Sequence, residues 1–343
     1  MTPKISVLIP LYNRKQYVAD CINSVLNQTF QDFEIIIRDD FSTDGVFEFV
    51  QKNFFDSRIK LFRNKKNLGE APTINLLVQD AVAKYFTILH NDDLYLQNAL
   101  QNFYETAEKF DADIVHGANI FISGNDGIIK NPLRKTSFDK FPVTKIEVLR
   151  DDLNLRFNEW FDGKIFRDLQ YNIFRREFVL KEKIFADLIR KDLLAVSLKW
   201  IMRAKVLVKT PESFYIRRDN PYTQSNAPIN LEDEISRRIE NFRWLEKFIN
   251  EFEFFRNNDI LKYKIKSRLF GFYENLNFDS SPSYGDEKFV GVYNSIENTF
   301  RKYFGKDAVY FALTYHWAHA MHFNQNQLQG VLKNCLNLLD RNI

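Results

Sequence analysis

The first third of the chain alternates between two hydrophobic periods. Short, mostly β-branched or aromatic runs, typical of buried strands, cover residues 5–9, 33–37, 59–62, 85–89 and 114–115. Between these runs, apolar residues recur every three or four positions, as in helices that bury one face, over residues 18–25, 46–50, 74–81 and 100–110. This alternation predicts an α/β fold, a parallel sheet covered by helices on both faces.

The rest of the chain has a less regular pattern. Residues 123–127 read as a turn and residues 131–142 as a polar, irregular segment. The pattern then favours helices and one late strand, at residues 176–185, 193–203 and 206–208. A polar stretch that contains proline, residues 219–230, marks the predicted domain boundary, and the helical patterns beyond it cover residues 231–250, 260–272 and the tail from 300. We therefore expect three parts, residues 1–122, 123–220 and 221–343.

Composition excludes several classes of protein. The 343 residues are 45% apolar, which suffices for a real core and excludes a disordered chain. The net charge of +3 is too balanced for a protein that coats nucleic acid, so no nucleic-acid partner is expected. Cys21 and Cys335 cannot build a disulfide framework, and no apolar run is long enough to span a bilayer. We therefore expect a cytoplasmic protein.

Carboxylate pairs follow two of the predicted strands. Asp39 and Asp40 come after the second strand, and Asp92 and Asp93 after the fourth. In open α/β sheets ligands bind beyond the carboxyl ends of the strands, so the two pairs should meet in one crevice. A divalent cation together with a phosphorylated ligand would offset the repulsion between the carboxylates. One Asp pair alone is as readily a turn or a helix cap, but two pairs at strand ends favour a functional site.

The motifs at these strand ends resemble those of one enzyme family. Residues 6–14, 24–30 and 33–44, together with Asn67-Leu68-Gly69 and Asn91-Asp92-Asp93, resemble the family-two inverting glycosyltransferases of the GT-A fold. The resemblance is strong to about residue 115, weaker to about 220 and absent beyond. It implies the GT-A nucleotide-diphospho-sugar transferase fold, a mostly parallel sheet flanked by helices, here followed by a C-terminal helical extension.

The resemblance also implies roles for the residues of the motifs. Tyr12 would stack on the uracil ring, and Asp39 and Asp40 would accept hydrogen bonds from the base and the ribose. Asp93 would be the direct ligand of Mn²⁺ or Mg²⁺. The other residues implied to bind the nucleotide are Pro10, Arg14, Asn67, Gly69 and Asp92. The sequence departs from the common family pattern at His90, where a further Asp is frequent, and at Ile74, where many relatives carry Arg.

The resemblance places a general base in the second half of the fold. Asp192, after Lys191, is the predicted base that takes the proton from the acceptor hydroxyl, and Asp187 is the fallback. An ordinary helix cap is the alternative for Asp192. Arg217 and Arg218 fall, with Tyr215, where relatives have a segment that closes over the diphosphate; a surface basic pair is an equal alternative.

Acceptor binding is predicted for a pair of residues in the middle of the chain. Trp160 offers a surface on which a sugar could stack, and Asp162 offers a carboxylate for its hydroxyl groups. A core tryptophan and a turn aspartate are equally open interpretations. Farther on, basic and apolar residues interleave over residues 262–270, which could contact anionic lipid at the inner face of the cell membrane. A solvated helix face is the preferred interpretation of that stretch.

The expected reaction moves a sugar from a UDP-sugar to a hydroxyl group of a glycan, forming a β-linkage. The acceptor would be a bacterial surface polysaccharide or a lipid-linked saccharide. Two alternatives remain: a nucleotidylyltransferase, which normally carries a glycine-rich loop that this sequence lacks, and a transferase-like scaffold that binds nucleotide without turnover. The sequence leaves the donor sugar, the acceptor and the oligomeric state open.

Overall fold

The computed structural model describes residues 2–123, 129–130, 143–150, 152–165, 168–185, 193–218, 244, 247–256 and 258. By internal contacts the chain divides into two compact units, Met1–Asn226 and Ala227–Ile343. The predicted division into residues 1–122, 123–220 and 221–343 stays a prediction.

The first unit alternates strands and helices along its first 110 residues. Its strands are β1 (Ile5–Leu11), β2 (Phe33–Asp39), β3 (Ile59–Arg63), β4 (Tyr85–Ile88), β5 (Leu94–Tyr95), β6 (Ile114–Ser123), β7 (Ile129–Lys130), β8 (Glu147–Leu149), β9 (Asn172–Arg175) and β10 (Leu207–Arg218). Its helices are α1 (Lys15–Leu26), α2 (Val46–Asn53), α3 (Glu70–Asp80), α4 (Ala99–Phe110), α5 (Leu153–Phe161), α6 (Arg176–Lys181) and α7 (Leu193–Arg203). The α/β class predicted from the two hydrophobic periods is confirmed.

The strands of the first unit form one mixed, mostly parallel sheet. Its order is β3-β2-β1-β4-β9-β6-β10-β5, with β7 beside β6 and β8 beside β10. The strands β1 to β4 pair in parallel, whereas β9 runs antiparallel between β4 and β6. Because β1 lies between β2 and β4, the loops that follow these three strands emerge at the same edge of the sheet.

The core follows from the hydrophobic pattern. The apolar face of α1, made of Val18, Cys21, Ile22 and Val25, is fully buried against the sheet. Burial of each such aliphatic side chain contributes roughly 1.5–3 kcal/mol. Cys21 is a free thiol in this core. The buried sheet and helices therefore form a rigid base for the loops at the sheet edge.

The structure corrects several predicted boundaries. Strands β6 and β10 extend to Ser123 and Arg218, well beyond the predicted ranges 114–115 and 206–208. The predicted helix 176–185 ends at Lys181, and β9, just before it, was not predicted. Helix α5 was also missed; the side chain of Asp152 caps it by accepting a hydrogen bond from Leu155 N at 2.9 Å.

Little of the second unit is described. Residues 247–251 are helical, and a short helix covers Glu253–Arg256. The rings of Trp244 and Phe248 stack with their centroids 5.5 Å apart, and Phe255 is buried. In the described parts of the chain, no helix combines the length and apolar character that a membrane crossing requires. Most of the predicted helical extension, including residues 262–270, lies outside the described residues.

Candidate active site

The loop after β1 leaves an aromatic ring at the surface and contacts both neighbouring loops. Tyr12 is 39% exposed, although Leu11 before it is fully buried. The backbone N–H of Asn13 donates to Ser42 Oγ at 2.8 Å, and Asn91 Nδ2 donates to the carbonyl oxygen of Asn13 at 2.9 Å. The loops after β1, β2 and β4 therefore adjoin at one edge, as the predicted sheet requires.

Arg14 brings a positive charge to the acidic loop after β4. Its guanidinium group forms an ion pair with Asp92. Arg14 and Asn13 both have left-handed backbone conformations, with φ of 66° and 56°. Such a conformation costs a non-glycine residue of order 1–3 kcal/mol, so the surrounding contacts hold this loop in shape. Pro10 lies within β1, in register with Arg38 of β2.

Asp39 is enclosed by its own loop. Its carboxylate accepts hydrogen bonds from Ser42 N at 3.2 and 3.3 Å and pairs with Arg63 Nε at 3.0 Å. Burial raises the pKa of Asp39, although the hydrogen bonds from Ser42 and the charge of Arg63 oppose this effect. The side chain has no exposed surface in this structure, and its predicted role as an acceptor of a hydrogen bond from the nucleotide stays a prediction.

Asp40 holds the loop before α3. Its Oδ1 accepts hydrogen bonds from Leu68 N at 2.8 Å and Asn64 Nδ2 at 2.9 Å, and its Oδ2 accepts one from Gly69 N at 2.8 Å. Gly69 has a φ of 86° and also donates to Asn67 Oδ1 at 3.0 Å. Asp40 therefore shapes the wall formed by residues 67–69, and its predicted contact with the nucleotide stays a prediction.

Asp93 receives two hydrogen bonds from the distant strand β10. Tyr215 Oη donates to Asp93 Oδ2 at 2.6 Å, and the backbone N–H of Arg218 donates to Asp93 Oδ1 at 2.8 Å. Burial and the neighbouring charge of Asp92 raise the pKa of Asp93 to about 6, against the opposing effects of His90 and the two donors. The carboxylate is thus buried, fixed in orientation and close to a second carboxylate.

His90 adds a second positive charge beside these carboxylates. Its Nε2 lies 3.1 Å from Glu70 Oε1, and its Nδ1 lies 4.0 Å from Asp93 Oδ2. Burial alone would lower the pKa of His90, but the hydrogen bond and charge of Glu70 and the charges of Asp93 and Asp92 raise it to about 9. The three carboxylates therefore favour the charged form of His90.

The four aspartates do not share one ligand cluster. Asp92 and Asp93 lie in the loop after β4, whereas Asp39 and Asp40 bind groups of their own loop and of residues 63–69. Among the described residues, no group of three or more acidic, histidine or cysteine side chains is arranged to hold a metal ion.

The structure favours the core interpretation of Trp160 and leaves both interpretations of Asp162 open. Trp160 is only 2% exposed and its Nε1 donates to Ser197 Oγ at 2.9 Å, so its ring cannot stack on a sugar here. Asp162 ends α5, and its Oδ2 lies 3.2 Å from Lys164 Nζ. Gly163 follows with a φ of 75°, which identifies a tight turn. A core tryptophan and a turn aspartate were the alternatives that the sequence left open for these two residues.

In the predicted diphosphate segment only part of the expected exposure is found, and the role of Arg217 stays a prediction. Arg218 is buried, with its guanidinium 3.0 Å from Asp20 Oδ2 and 4.9 Å from the ring centroid of Tyr17. Tyr215 is a core residue of β10, and only Arg217 is exposed. In this arrangement the Arg218 side chain binds α1, which favours the structural alternative for this residue, and its predicted contact with the diphosphate stays a prediction. Asp192 and Asp187, the predicted base and its fallback, lie outside the described residues.

Sequence reasoning missed Asn64 and Glu70 at this edge, and it named Tyr215 only as part of the diphosphate segment. Asn64 bonds Asp40, Glu70 pairs with His90, and Tyr215 bonds Asp93. Each acts on a residue remote along the chain or across a loop. The sequence carries no periodic signal for such contacts.

The mostly parallel sheet, with acidic loops at its carboxyl edge, agrees with the GT-A fold that the sequence motifs imply. The fold is similar to a crystal structure of Staphylococcus aureus TarS residues 1–349 in complex with UDP-GlcNAc, with a TM-score of 0.61 and 15% identity over 94% of this chain and 93% of that chain. The family model "Glycosyl transferase family 2" matches residues 6–181. The chain belongs to glycosyltransferase family 2, and the resemblance predicted from its motifs is confirmed.

Two curated relatives support the enzyme class. The chain is 27% identical over 220 residues to the glycosyltransferase GlyG of Streptococcus pneumoniae, covering 64% of this chain and 71% of that protein. It is 33% identical over 181 residues to the GalNAc(5)-diNAcBac-PP-undecaprenol beta-1,3-glucosyltransferase of Campylobacter jejuni, covering 47% of this chain and 57% of that protein. The match thus spans less than two thirds of the second relative. The protein is a glycosyltransferase.

Proposed function

We propose that this glycosyltransferase moves one sugar from a UDP-sugar to a hydroxyl group of a glycan, with inversion at the anomeric carbon. The observation that carries the proposal is that the exposed ring of Tyr12 and the Asp92–Asp93 pair belong to adjoining loops at one sheet edge. The TarS complex with UDP-GlcNAc supports the donor class. The undecaprenol-linked substrate named for the Campylobacter relative supports a lipid-linked or surface-glycan acceptor.

The loops at this edge suit a nucleoside diphosphate. The flat ring of Tyr12 offers a stacking surface that loses little conformational entropy on binding. Arg14 brings a guanidinium group, whose fork of donors matches phosphate oxygens. Residues 67–69, held by Asp40, form a neighbouring wall whose shape does not depend on the ligand.

A divalent cation fits the chemistry of the loop after β4. Asp92 and Asp93 supply the hard oxygen atoms that Mg²⁺ and Mn²⁺ prefer, usually alongside substrate phosphates. An ionised carboxylate has about four lone-pair positions, and Tyr215 and Arg218 use two of those on Asp93. We assign Asp93 as the direct ligand and Asp92 as its neighbour. When bound, the cation supplies charge neutralisation for the departing diphosphate.

Inverting transfer also needs a proton acceptor. The acceptor oxygen attacks the anomeric carbon, the bond to UDP breaks, and a base takes the hydroxyl proton. Asp192 is our proposed base, on the resemblance of residues 185–194 to the family. Changing Asp192 to Asn should abolish transfer and leave UDP affinity largely intact; normal transfer by this variant would show that the base lies elsewhere.

The proposal is tested by UDP binding with and without Mn²⁺, measured by calorimetry. Tyr12→Ala should weaken UDP binding about tenfold, because stacking of one base contributes roughly 1–3 kcal/mol. Phe55→Ala is the matched control, since Phe55 is an 83% exposed ring just before β3, at the other end of the strands. Asp93→Asn should remove the Mn²⁺-dependent part of the affinity.

Turnover is measured separately, as UDP release across a panel of UDP-sugars and saccharide acceptors. Release with at least one pair supports the proposed reaction. Mn²⁺-dependent UDP binding without release from any pair would favour the nucleotide-binding scaffold instead. Absence of UDP binding by the wild-type chain, or equal effects of Tyr12→Ala and Phe55→Ala, would contradict the proposed donor site.

A further inference from the structure

A single buried hydroxyl group joins the last strand of the sheet to the acidic loop after β4. Tyr215 Oη donates to Asp93 Oδ2 at 2.6 Å, and the backbone N–H of His90 donates to Tyr215 Oη at 3.4 Å. The carboxylate oxygen is the acceptor at short range, so the hydroxyl proton is directed to Asp93, while the hydroxyl oxygen accepts the longer hydrogen bond from His90. The direction of this hydrogen bond is therefore set by the protein.

The ring that carries this hydroxyl group is fixed. Tyr215 is 1% exposed and packs edge-to-face on Tyr95 and Tyr171, with centroid distances of 5.8 and 5.1 Å. Its backbone pairs with Tyr95 on β5 and with Ile120 on β6. The hydroxyl lies on the ring axis, so a ring flip leaves it in place. The hydroxyl group of Tyr215 is therefore held in one position.

The second oxygen of Asp93 is fixed from the same strand. The backbone N–H of Arg218 donates to Asp93 Oδ1, and the Arg218 side chain is anchored on α1 by Asp20 and Tyr17. One donor on each oxygen determines the plane of the carboxylate. The remaining lone pairs of both oxygens therefore keep a defined direction.

We propose that Tyr215 is the positioning residue that orients Asp93 for the divalent cation. This inference rests on the proposed function, because it needs Asp93 to be a metal ligand. Groups that orient a metal-binding side chain typically change metal affinity 10–100-fold when they are removed. Tyr215 would touch neither the cation nor the substrate and would act only through Asp93.

The test compares two variants that each lose one buried hydroxyl group and keep the ring. Tyr215→Phe removes the donor to Asp93. Tyr95→Phe is the control, because Tyr95 Oη bonds Thr87 Oγ1 at 2.8 Å and donates to the carbonyl oxygen of Ile88 at 3.1 Å. The readouts are the Mn²⁺ concentration for half-maximal UDP binding, UDP affinity without Mn²⁺, and thermal unfolding.

We expect Tyr215→Phe to raise the Mn²⁺ concentration for half-maximal UDP binding about tenfold or more. Its UDP affinity in the absence of Mn²⁺ should be unchanged. Tyr95→Phe should behave as wild type in both measurements. An unchanged Mn²⁺ requirement in Tyr215→Phe, or an equal rise in both variants, would overturn the proposal. A Tyr215→Phe chain that does not unfold cooperatively would also overturn it, since the residue would then serve the fold. If the wild-type chain itself shows no Mn²⁺-dependent UDP binding, the proposed metal site fails, and the inference with it.

Discussion

Replacing Asp40 by Asn tests whether this carboxylate holds the wall beside the nucleotide site. The change keeps the size of the side chain but removes its charge and one acceptor. Oδ1 of Asp40 binds two donors, Leu68 N and Asn64 Nδ2, and Oδ2 binds Gly69 N. The asparagine amide has one oxygen, which can replace either Oδ1 or Oδ2 but not both. Its NH₂ group takes the other position, where it faces an N–H donor and cannot accept a hydrogen bond. The more favourable orientation places the oxygen at the Oδ1 position, where it keeps the hydrogen bonds from Leu68 N and Asn64 Nδ2, and loses the hydrogen bond from Gly69 N.

The magnitude follows from these three contacts. Loss of one hydrogen bond to a charged acceptor costs about 1.5–3 kcal/mol. The other two bonds weaken to neutral ones, at about 0.5 kcal/mol or more each, while Asn67 Oδ1 still accepts from Gly69 N and limits the loss. We expect the free energy of unfolding to fall by about 2–4 kcal/mol. For a folded unit of this size, a loss of that order lowers Tm by roughly 4–16 °C.

The assay is thermal and urea unfolding of the full chain, with Asp44→Asn as the control. The Asp44 carboxylate also accepts hydrogen bonds from two backbone N–H groups, those of Lys15 at 2.9 Å and Val46 at 3.0 Å. Asp44 is exposed, so water can replace the lost acceptor and its variant should lose less than about 1 kcal/mol. If Asp40→Asn is as stable as the control, the assignment of Asp40 to the loop is wrong.

Three other changes probe the first unit. Burial lowers the pKa of His116 to about 4, whereas a histidine in the unfolded chain has a pKa near 6.5. The free energy of unfolding should therefore be highest above pH 6.5 and fall by up to about 3 kcal/mol as the pH is lowered towards 4. Urea unfolding at stepped pH should show this slope in wild type and not in His116→Gln. Trp160→Phe loses the hydrogen bond to Ser197, so the free energy of unfolding should drop by about 1–2 kcal/mol in urea unfolding. A raised acceptor KM in this variant would contradict its assignment to the core. Gly117→Ala would place a Cβ 2.5 Å from the Phe214 ring, and thermal unfolding should show a loss of about 1–3 kcal/mol.

The first third of the fold was predictable because its elements bury apolar residues in regular periods. Parallel strands covered on both faces appear as continuous apolar runs, and each covering helix as one apolar stripe. The strand ends follow from these runs, which is why the loops containing Asp39–Asp40 and Asp92–Asp93 could be located. Family motifs added the expected fold and the identity of the enzyme class.

The sequence could not reveal which atoms the site residues bind. Strand β9 is four residues long and has no usable period, so its antiparallel position between β4 and β6 was not predicted. Asp40 and Asp93 were identified, but their partners depend on tertiary contacts. The donors to Asp93 come from Tyr215 and Arg218, at separations of 122 and 125 residues. No local pattern encodes such pairs.

The position of β10 has a consequence for how the chain is made. At translation rates of about 5–20 residues per second, roughly 6–25 s separate the synthesis of Asp93 from that of Arg218, 125 residues later. During this interval a nascent chain on the ribosome already contains the acidic loops. For about its first two thirds β4 lacks its neighbour β9, and Asp93 lacks both donors until the end of β10 is made. The carboxylate can reach its final orientation only after β10 has been translated. A fragment that ends at residue 122 would therefore lack both donors to Asp93 and would not reproduce the donor site of the full chain.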